Sequence, residues 1–552
     1  MAKTPRISGR ALRIFARSLR ASPVRDLVLR LVRKDLGIDA LRALDSELRG
    51  ALPLDTRPLR ARASHERPSE ELAWPKRASA PRTTEQLRRA LADRRTDPPE
   101  LVDRAYRGAR ELAAMTPTLG PILVYDEDNA QRDAKAASER IAKKRARGPL
   151  DGIPMVIKEE IDVHGLRTLA GATWHSIAPS AEDAVCVARL RAAGAIVLGH
   201  SPMTEHGMNP IGVNAKRVLP RNPYDPTRAA GGSSTGSGVA VATGIGPAAL
   251  GADGGGSIRI PAAFNGVFGI KPTYGRVPRT GSAGGGSMTH LGPLAASTLD
   301  LARVLEVISG QDDGDIVTSG VAPYAKGALE SALARGVRGL RIGVDEGEWS
   351  DAPEPIARAC RDAIAALERD GAELVPVRIS LARHAPAMGY PTIGLEFFSE
   401  LLEARRHHLD ELGAELQVFC AVMGGFEADD YVDAQRMRAS LRTQVADALR
   451  DVDLLALPMT ATTAPRVSDD DMSGFVDPPV LGAVSRYAYI GNLCGLPAAT
   501  APVGRGTDGL PIGLQIIGDA FDEACVLQAI GHLERQEIAR TELPACYVDL
   551  LA

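Results

Sequence analysis

Three residues stand where chemistry could use them. Ser233 lies in Gly231-Gly232-Ser233-Ser234-Thr235-Gly236-Ser237-Gly238, Ser257 follows twenty-four residues later in Gly254-Gly255-Gly256-Ser257-Ile258-Arg259, and Lys158 precedes Ser233 by seventy-five residues. A glycine-rich turn leaves backbone N–H groups uncovered beside the hydroxyl it carries. Acyl transfer needs both, one to attack a carbonyl carbon and the others to hold the oxygen that becomes negative. A serine hydroxyl is a poor nucleophile at neutral pH and needs a proton acceptor. A lysine can accept only when neutral, a state that burial or a cationic neighbour brings about. Met155, Val156 and Ile157, directly before Lys158, are apolar enough to bury it.

Other glycine patterns fit less well. A phosphate-cradling loop needs G-x-x-x-x-G-K-[ST], and no lysine follows either run; Gly244-Ile245-Gly246 continues into Pro247-Ala248-Ala249 and lacks dinucleotide spacing. Gly232-Ser233-Ser234-Thr235-Gly236 matches G-x-S-x-G. That elbow follows directly on a strand, whereas Asn222-Pro223-Tyr224-Asp225-Pro226 and Gly231-Gly232 make this approach a loop. Glycine turns also exist simply to let backbones pass closely. Two such turns, each with a serine, together with a suitable lysine favour catalysis.

The elements that must position these residues are legible in outline. After Gly148, short apolar runs (Ile153–Ile157, Ala195–Leu198, Ala248–Leu250) alternate with helical patterns such as Ala181–Ala193, which predicts an α/β fold around a mostly buried sheet. Helical patterns cover 86–114 and 127–145, with a capping signature at Thr83-Thr84-Glu85. A charged helical stretch covers 394–450, Asp453–Pro458 reads as a buried strand, and Ser468–Ser473, with three aspartates, reads as a solvent-facing loop. Residues 50–83, rich in Pro, Arg and Ser, read as an extended linker. The chain then divides into an N-terminal helical extension and linker, 1–82, and a catalytic domain, 83–552.

Within the extension, Arg6, Arg10, Arg13, Arg17 and Arg20 share a helical stripe, while Leu12, Phe15 and Leu19 occupy another face. Ser22-Pro23 reads as an N-cap and first helical residue, with Val24, Leu27, Val28 and Leu31 on the apolar side of a second helix. Residues 1–35 hold ten Lys and Arg against Asp26 and Asp35, although the whole chain carries a formal charge of -3. Three readings stand open: a hairpin docked on the body with its arginines in water, a peripheral membrane or acidic-partner site, and a transit peptide. The overall charge gives no reason to expect nucleic acid. Six scattered cysteines without C-x-x-C or zinc spacing suit a reduced, cytoplasmic chain. No stretch approaches 18 apolar residues, and arginines interrupt any secretory h-region.

Asp151-Gly152-Ile153-Pro154-Met155-Val156-Ile157-Lys158 and the two serine turns resemble the motifs of the amidase signature family. The resemblance continues through Gly269-Ile270-Lys271-Pro272-Thr273-Tyr274-Gly275-Arg276-Val277-Pro278, Asn492-Leu493-Cys494-Gly495-Leu496-Pro497-Ala498 and Gly509-Leu510-Pro511-Ile512-Gly513-Leu514-Gln515, so that it covers about 84–552. It implies a central mixed β-sheet covered by helices on both faces and a Ser–cis-Ser–Lys triad. Ser257 would be the nucleophile, Ser233 the bridging serine after a cis bond from Gly232, and Lys158 the base. It also implies a supporting Ser234 and an oxyanion hole from the N–H groups of Gly254, Gly255, Gly256 and Ser257. Asp253 and Arg259 read as an ion pair holding the loop. The family commonly has threonine at Ala252, glycine or serine at Thr235, and a larger residue at Gly254, departures that bear on loop rigidity and pocket shape.

The expected reaction is hydrolysis of a carboxylic amide to a carboxylate plus ammonia or amine through an acyl-serine, extending to esters or carbamates, without metal or cofactor. Its rivals are a glutamine-hydrolysing subunit of a tRNA-dependent amidotransferase and a non-catalytic membrane-associated binding protein. The expected partner is a small-molecule amide, with a homodimer left open. Specificity is expected from residues around 284–290 and 385–430, with Met388, Tyr390, Phe397 and Phe398 as pocket or helix-core residues. His290 and Cys494 read as pocket-lining or core residues.

Overall fold

The computed structural model describes residues 6–42, 82–173 and 177–552. Its centre is an eleven-stranded sheet in the order Val124–Tyr125, Ile196–Ser201, Pro154–Lys158, Ala248–Asp253, His290–Ala295, Phe268–Lys271, Ala498–Arg505, Pro511–Gly518, Leu454–Pro458, Arg341–Val344, Glu373–Pro376. The lysine strand runs parallel to both neighbours. From Ala248–Asp253 to Leu454–Pro458 the pairings are antiparallel, and the last two are parallel again. The sheet is therefore mixed.

Both faces are covered. Successive side chains of a strand point to opposite faces. Met155 and Ile157 accordingly enter a core shared with helices Val185–Ala192, Thr298–Ile308, Glu354–Arg369 and Glu523–Arg535. Val156 enters a second core with Thr84–Ala92, Pro98–Ala113, Glu127–Ala142 and Thr235–Ala242. Burial on two sides is why these strands read as continuous apolar runs.

Several boundaries differ from expectation. The stretch 86–114 is two helices: the backbone turns at Arg94 (φ 56°), and Asp97 caps a new helix by accepting the Glu100 N–H at 2.9 Å, with Pro98 in its first turn. Thr83 caps the preceding helix through a reciprocal pair with Gln86, at 3.3 and 3.0 Å. The stretch 394–450 divides into Ala385–Glu400, Leu402–His407, Ala414–Met423 and Ala428–Asp451. Ser468–Ser473 is not a free loop. It contains the short helix Asp469–Met472, and Asp471 is buried and paired with Arg6 at 3.0 Å.

The linker read over 50–83 lies outside the described residues up to 81. Helices Gly9–Ser18 and Ser22–Asp35 form as two consecutive helices, each packed on Ala414–Met423, with Ala21 rather than Ser22 at the second cap. Leu12, Ala16 and Leu19 are buried against Ala414–Met423.

Candidate active site

Lys158 ends its strand at the centre of the parallel part of the sheet, 1% exposed. Its Nζ donates to Ser233 Oγ at 2.7 Å and to the Ala252 carbonyl at 3.4 Å. Burial pushes the Lys158 ammonium below the ordinary lysine range; the Glu160 carboxylate, with Oε1 2.9 Å from Nζ, opposes that shift. The net direction is downward, because desolvation of the ammonium outweighs the attraction of the Glu160 and Asp253 carboxylates.

Ser233 follows a cis Gly232–Ser233 peptide bond and precedes helix Thr235–Ala242. A Cβ on Gly232 would lie 2.5 Å from the Asn209 carbonyl oxygen, so only glycine fits this approach. Ser234 ties the first serine turn to the second: its Oγ donates to the Ala252 carbonyl at 3.2 Å, and its N–H donates to the Ser257 carbonyl at 3.2 Å.

The second turn leaves strand Ala248–Asp253 and enters helix Arg259–Phe264. At its centre sits the buried Asp253 carboxylate, which accepts from Arg259 Nε and Nη2 at 2.9 Å each, Asn492 Nδ2 at 2.9 Å, Ile258 N–H at 3.2 Å and Gly256 N–H at 2.7 Å. The Arg259 guanidinium keeps this carboxyl well below the usual range despite its burial. Gly256 thus differs from its expected place in the oxyanion hole, because its N–H is spent on Asp253. The N–H groups of Gly254, Gly255 and Ser257 have no acceptor among the described residues. Cβ atoms on Gly254 and Gly255 would lie 2.8 Å from Ile393 Cδ1 and Tyr489 Cε1, which accounts for glycine at both.

Lys158, Ser233 and Ser257 line one cavity of about 80 Å³. Its apolar wall includes Met208, Met288, Ile393 and Phe397, and its acidic side chains are Glu160, Asp253, Glu396 and Glu400. Among the described residues, Lys158 is the one lysine or arginine in the lining. The wall at 284–289 is braced: Ser287 donates its N–H and Oγ to Glu396 at 2.8 and 2.6 Å, while Arg438 donates to Ser287 Oγ at 2.6 Å. Both expected specificity segments contribute. Phe397 lines the cavity, Met388 and Tyr390 belong to the core, and Phe398 packs toward the two N-terminal helices. His290 is buried with Nδ1 2.7 Å from the Met288 carbonyl, and the Cys494 thiol is pushed by burial up to about 12; neither lines the cavity.

Sequence reasoning missed Glu160 and Asn492. The run Lys158-Glu159-Glu160 was a signal for the first, since a carboxylate two residues beyond a strand-end lysine can fold back on it. Asn492 stood inside a family motif without a role.

A mixed sheet covered on both faces, with a buried lysine on the hydroxyl of a serine that follows a non-proline cis bond, defines a class of α/β protein built around serine and lysine. The family model described as Amidase matches residues 107–527. A fatty acid amide hydrolase of Arabidopsis thaliana is 34% identical over 84% of this chain and 77% of its own. A glutamyl-tRNA(Gln) amidotransferase subunit of Roseiflexus castenholzii is 35% identical over 84% of this chain and 97% of its own. Among solved structures, the native peptide amidase of Stenotrophomonas maltophilia superposes with a TM-score of 0.70 at 27% identity, covering 84% of this chain and 98% of that one. The chain belongs to the amidase signature family of amide hydrolases.

Proposed function

We propose that this chain hydrolyses a carboxylic amide by itself, through an acyl intermediate on Ser257. The observation that carries the reading is the 2.7 Å bond from the buried Lys158 Nζ to Ser233 Oγ inside the cavity that Ser257 also lines. Ser257 Oγ attacks the amide carbon as its proton passes to Ser233 Oγ and the Ser233 proton passes to neutral Lys158. The N–H groups of Gly254, Gly255 and Ser257 receive the carbonyl oxygen as it gains charge; each such donor is worth about 3–4 kcal/mol. Collapse breaks the C–N bond, and the proton returns through Ser233 to the departing nitrogen. Water then releases the carboxylate by the same relay. Ser234 and the Asp253–Arg259 pair keep the two turns in register.

A second reading, the glutamine-hydrolysing subunit of an amidotransferase, draws support from the 35% identity to the Roseiflexus castenholzii protein. The cavity charge favours the first. A glutamine carboxylate entering it would meet Glu160, Glu396 and Glu400, while the relay needs Lys158, the one lysine or arginine lining it among the described residues, in its neutral form.

The test maps a fluorophosphonate adduct by mass spectrometry, with Ser257→Ala as control, and measures ammonia or amine release from neutral, cationic and anionic amides by the isolated chain. Labelling at Ser257, lost in the variant, together with turnover of neutral or cationic amides is expected. Turnover of glutamine alone, or only with added partner proteins, would select the second reading.

A further inference from the structure

The outward face of the two N-terminal helices is not an ordinary solvated surface. Among the described residues, Ile14, Val24, Leu27 and Leu31 are 60%, 36%, 52% and 53% exposed, and these four of the eleven most exposed large apolar side chains fall within eighteen residues of chain. Isolated exposed apolar residues need no explanation, but a contiguous set does. On the first helix Arg10, Arg13, Ile14 and Arg17 follow i, i+3, i+4, i+7 spacing and share one stripe, opposite the buried Leu12 and Ala16. On the second, Leu27, Arg30, Leu31 and Lys34 repeat that spacing. The charged members of both stripes have no carboxylate partner among the described residues.

A groove of about 240 Å³ opens where the two helices join. Arg20, Arg25 and Arg405 line it, with Ala16, Leu19 and Phe398 as its apolar floor. Arg20 pairs with Asp410 and Arg25 with Asp26, but Arg405, stacked 3.5 Å over the Phe398 ring, has no carboxylate partner among the described residues, and its Nε is buried without a hydrogen bond. Three guanidiniums border one groove, and Arg405 among them has no carboxylate partner among the described residues, a setting that suits an anion. Apolar side chains beside them call for a hydrocarbon phase.

From this juxtaposition we infer that the two N-terminal helices dock the protein on an anionic phospholipid surface: Val24, Leu27, Leu31 and Ile14 enter the acyl boundary, the two basic stripes face the headgroups, and the Arg20–Arg25–Arg405 groove takes a lipid phosphate. Basic amphipathic helices lie in the interface in this way, held by buried apolar area together with attraction to anionic lipid. The inference is independent of the hydrolytic reading, since it uses none of the cavity residues.

The full chain is sedimented with vesicles of phosphatidylcholine alone and with vesicles containing about 30% phosphatidylserine, at low salt and at about 0.5 M salt. Binding to the anionic vesicles only, reversed by salt, is expected. Leu27→Gln with Leu31→Gln, and separately Arg405→Gln, are each expected to lower the partition coefficient by about tenfold or more. Thermal melts of the variants separate lost binding from lost folding, since Leu27 and Leu31 are exposed and Arg405 only partly so. Indifference to lipid charge, or wild-type partitioning by either well-folded variant, overturns the proposal. So does a dimer in solution that the leucine variant dissolves, since the face would then belong to a second copy.

Discussion

At the scale of single residues, the least familiar feature is Glu160. Its carboxylate stabilises the charged form of Lys158, whereas the proposed relay needs the neutral form. The rate must therefore rise with pH as Lys158 loses its proton, and Glu160 holds that rise at higher pH than burial alone would. Replacing Glu160 with Gln removes the attraction, lowers the Lys158 pKa and moves the acid limb of the kcat/KM profile to lower pH, by about one unit or more. An unmoved limb would mean that the titrating base is not Lys158. The proposed serines were legible because each sits in a glycine-rich turn, and Lys158 because an apolar run precedes it. The fate of the Gly256 N–H was not, because the direction of a backbone donor here depends on a carboxylate three residues earlier that turns back through its own loop. The partner of Lys158 was equally hidden, since it depends on how the chain bends after the strand.

Among the elements, helix Ala414–Met423 joins the two N-terminal helices to the body, and it carries the half-buried Glu415. Glu415 accepts from Asn209 Nδ2 at 2.6 Å and from Phe475 N–H at 3.1 Å, and burial pushes its carboxyl up to about 8. Nearby Glu205 accepts the Gly413 N–H at 2.9 Å and is pushed by burial up to about 7. A carboxyl with a raised folded-state pKa binds more protons folded than unfolded, so its contribution to stability is greatest at low pH and falls as pH rises. For Glu415 the fall spans the unfolded value of 4.5 up to about 8. Glu415→Gln keeps an oxygen acceptor and removes the titration. Chemical denaturation should find the variant gaining on the wild type steadily from about pH 5 to pH 8, at up to roughly 1.4 kcal/mol per pH unit. A constant difference across that range would sink the assignment. Strand and helix types were readable here from apolar runs and caps, as at Thr83 and 454–458. The Ser468–Ser473 segment was not, because three aspartates suggest solvent until Arg6, far away in sequence, supplies a partner for Asp471.

For the molecule as a whole, the tail beyond the last helix closes the core around helices Thr84–Ala92 and Pro98–Ala113. Val548 N–H donates to the Thr243 carbonyl at 2.8 Å, Arg82 Nε donates to Asp549 at 2.7 Å, and Leu550 is 1% exposed in the core on the Val156 side. Leu550→Ala removes a fully packed side chain and should cost about 2–5 kcal/mol in equilibrium unfolding; a loss below about 1 kcal/mol would show the tail to be loosely held. The α/β class and two-sided covering were visible in the alternation of apolar runs with helical patterns. The strand order was not, because antiparallel neighbours such as 268–271 and 498–505 are more than two hundred residues apart, and periodicity reports no partner.

That separation has a bearing on biosynthesis. Arg259, which clamps Asp253 and with it the turn carrying Ser257, also donates to the Ala488 carbonyl at 2.9 Å and to the side chains of Asn492 and Gln515 at 2.5 Å each. A ribosome that has made only the first four hundred residues has already delivered Lys158, Ser233, Ser257 and Arg259, but none of the three distant groups that brace that guanidinium. The turn that carries Ser257 therefore stays unbraced until the last stretch of the chain emerges, and a chain cut short at four hundred residues would lack that brace for good.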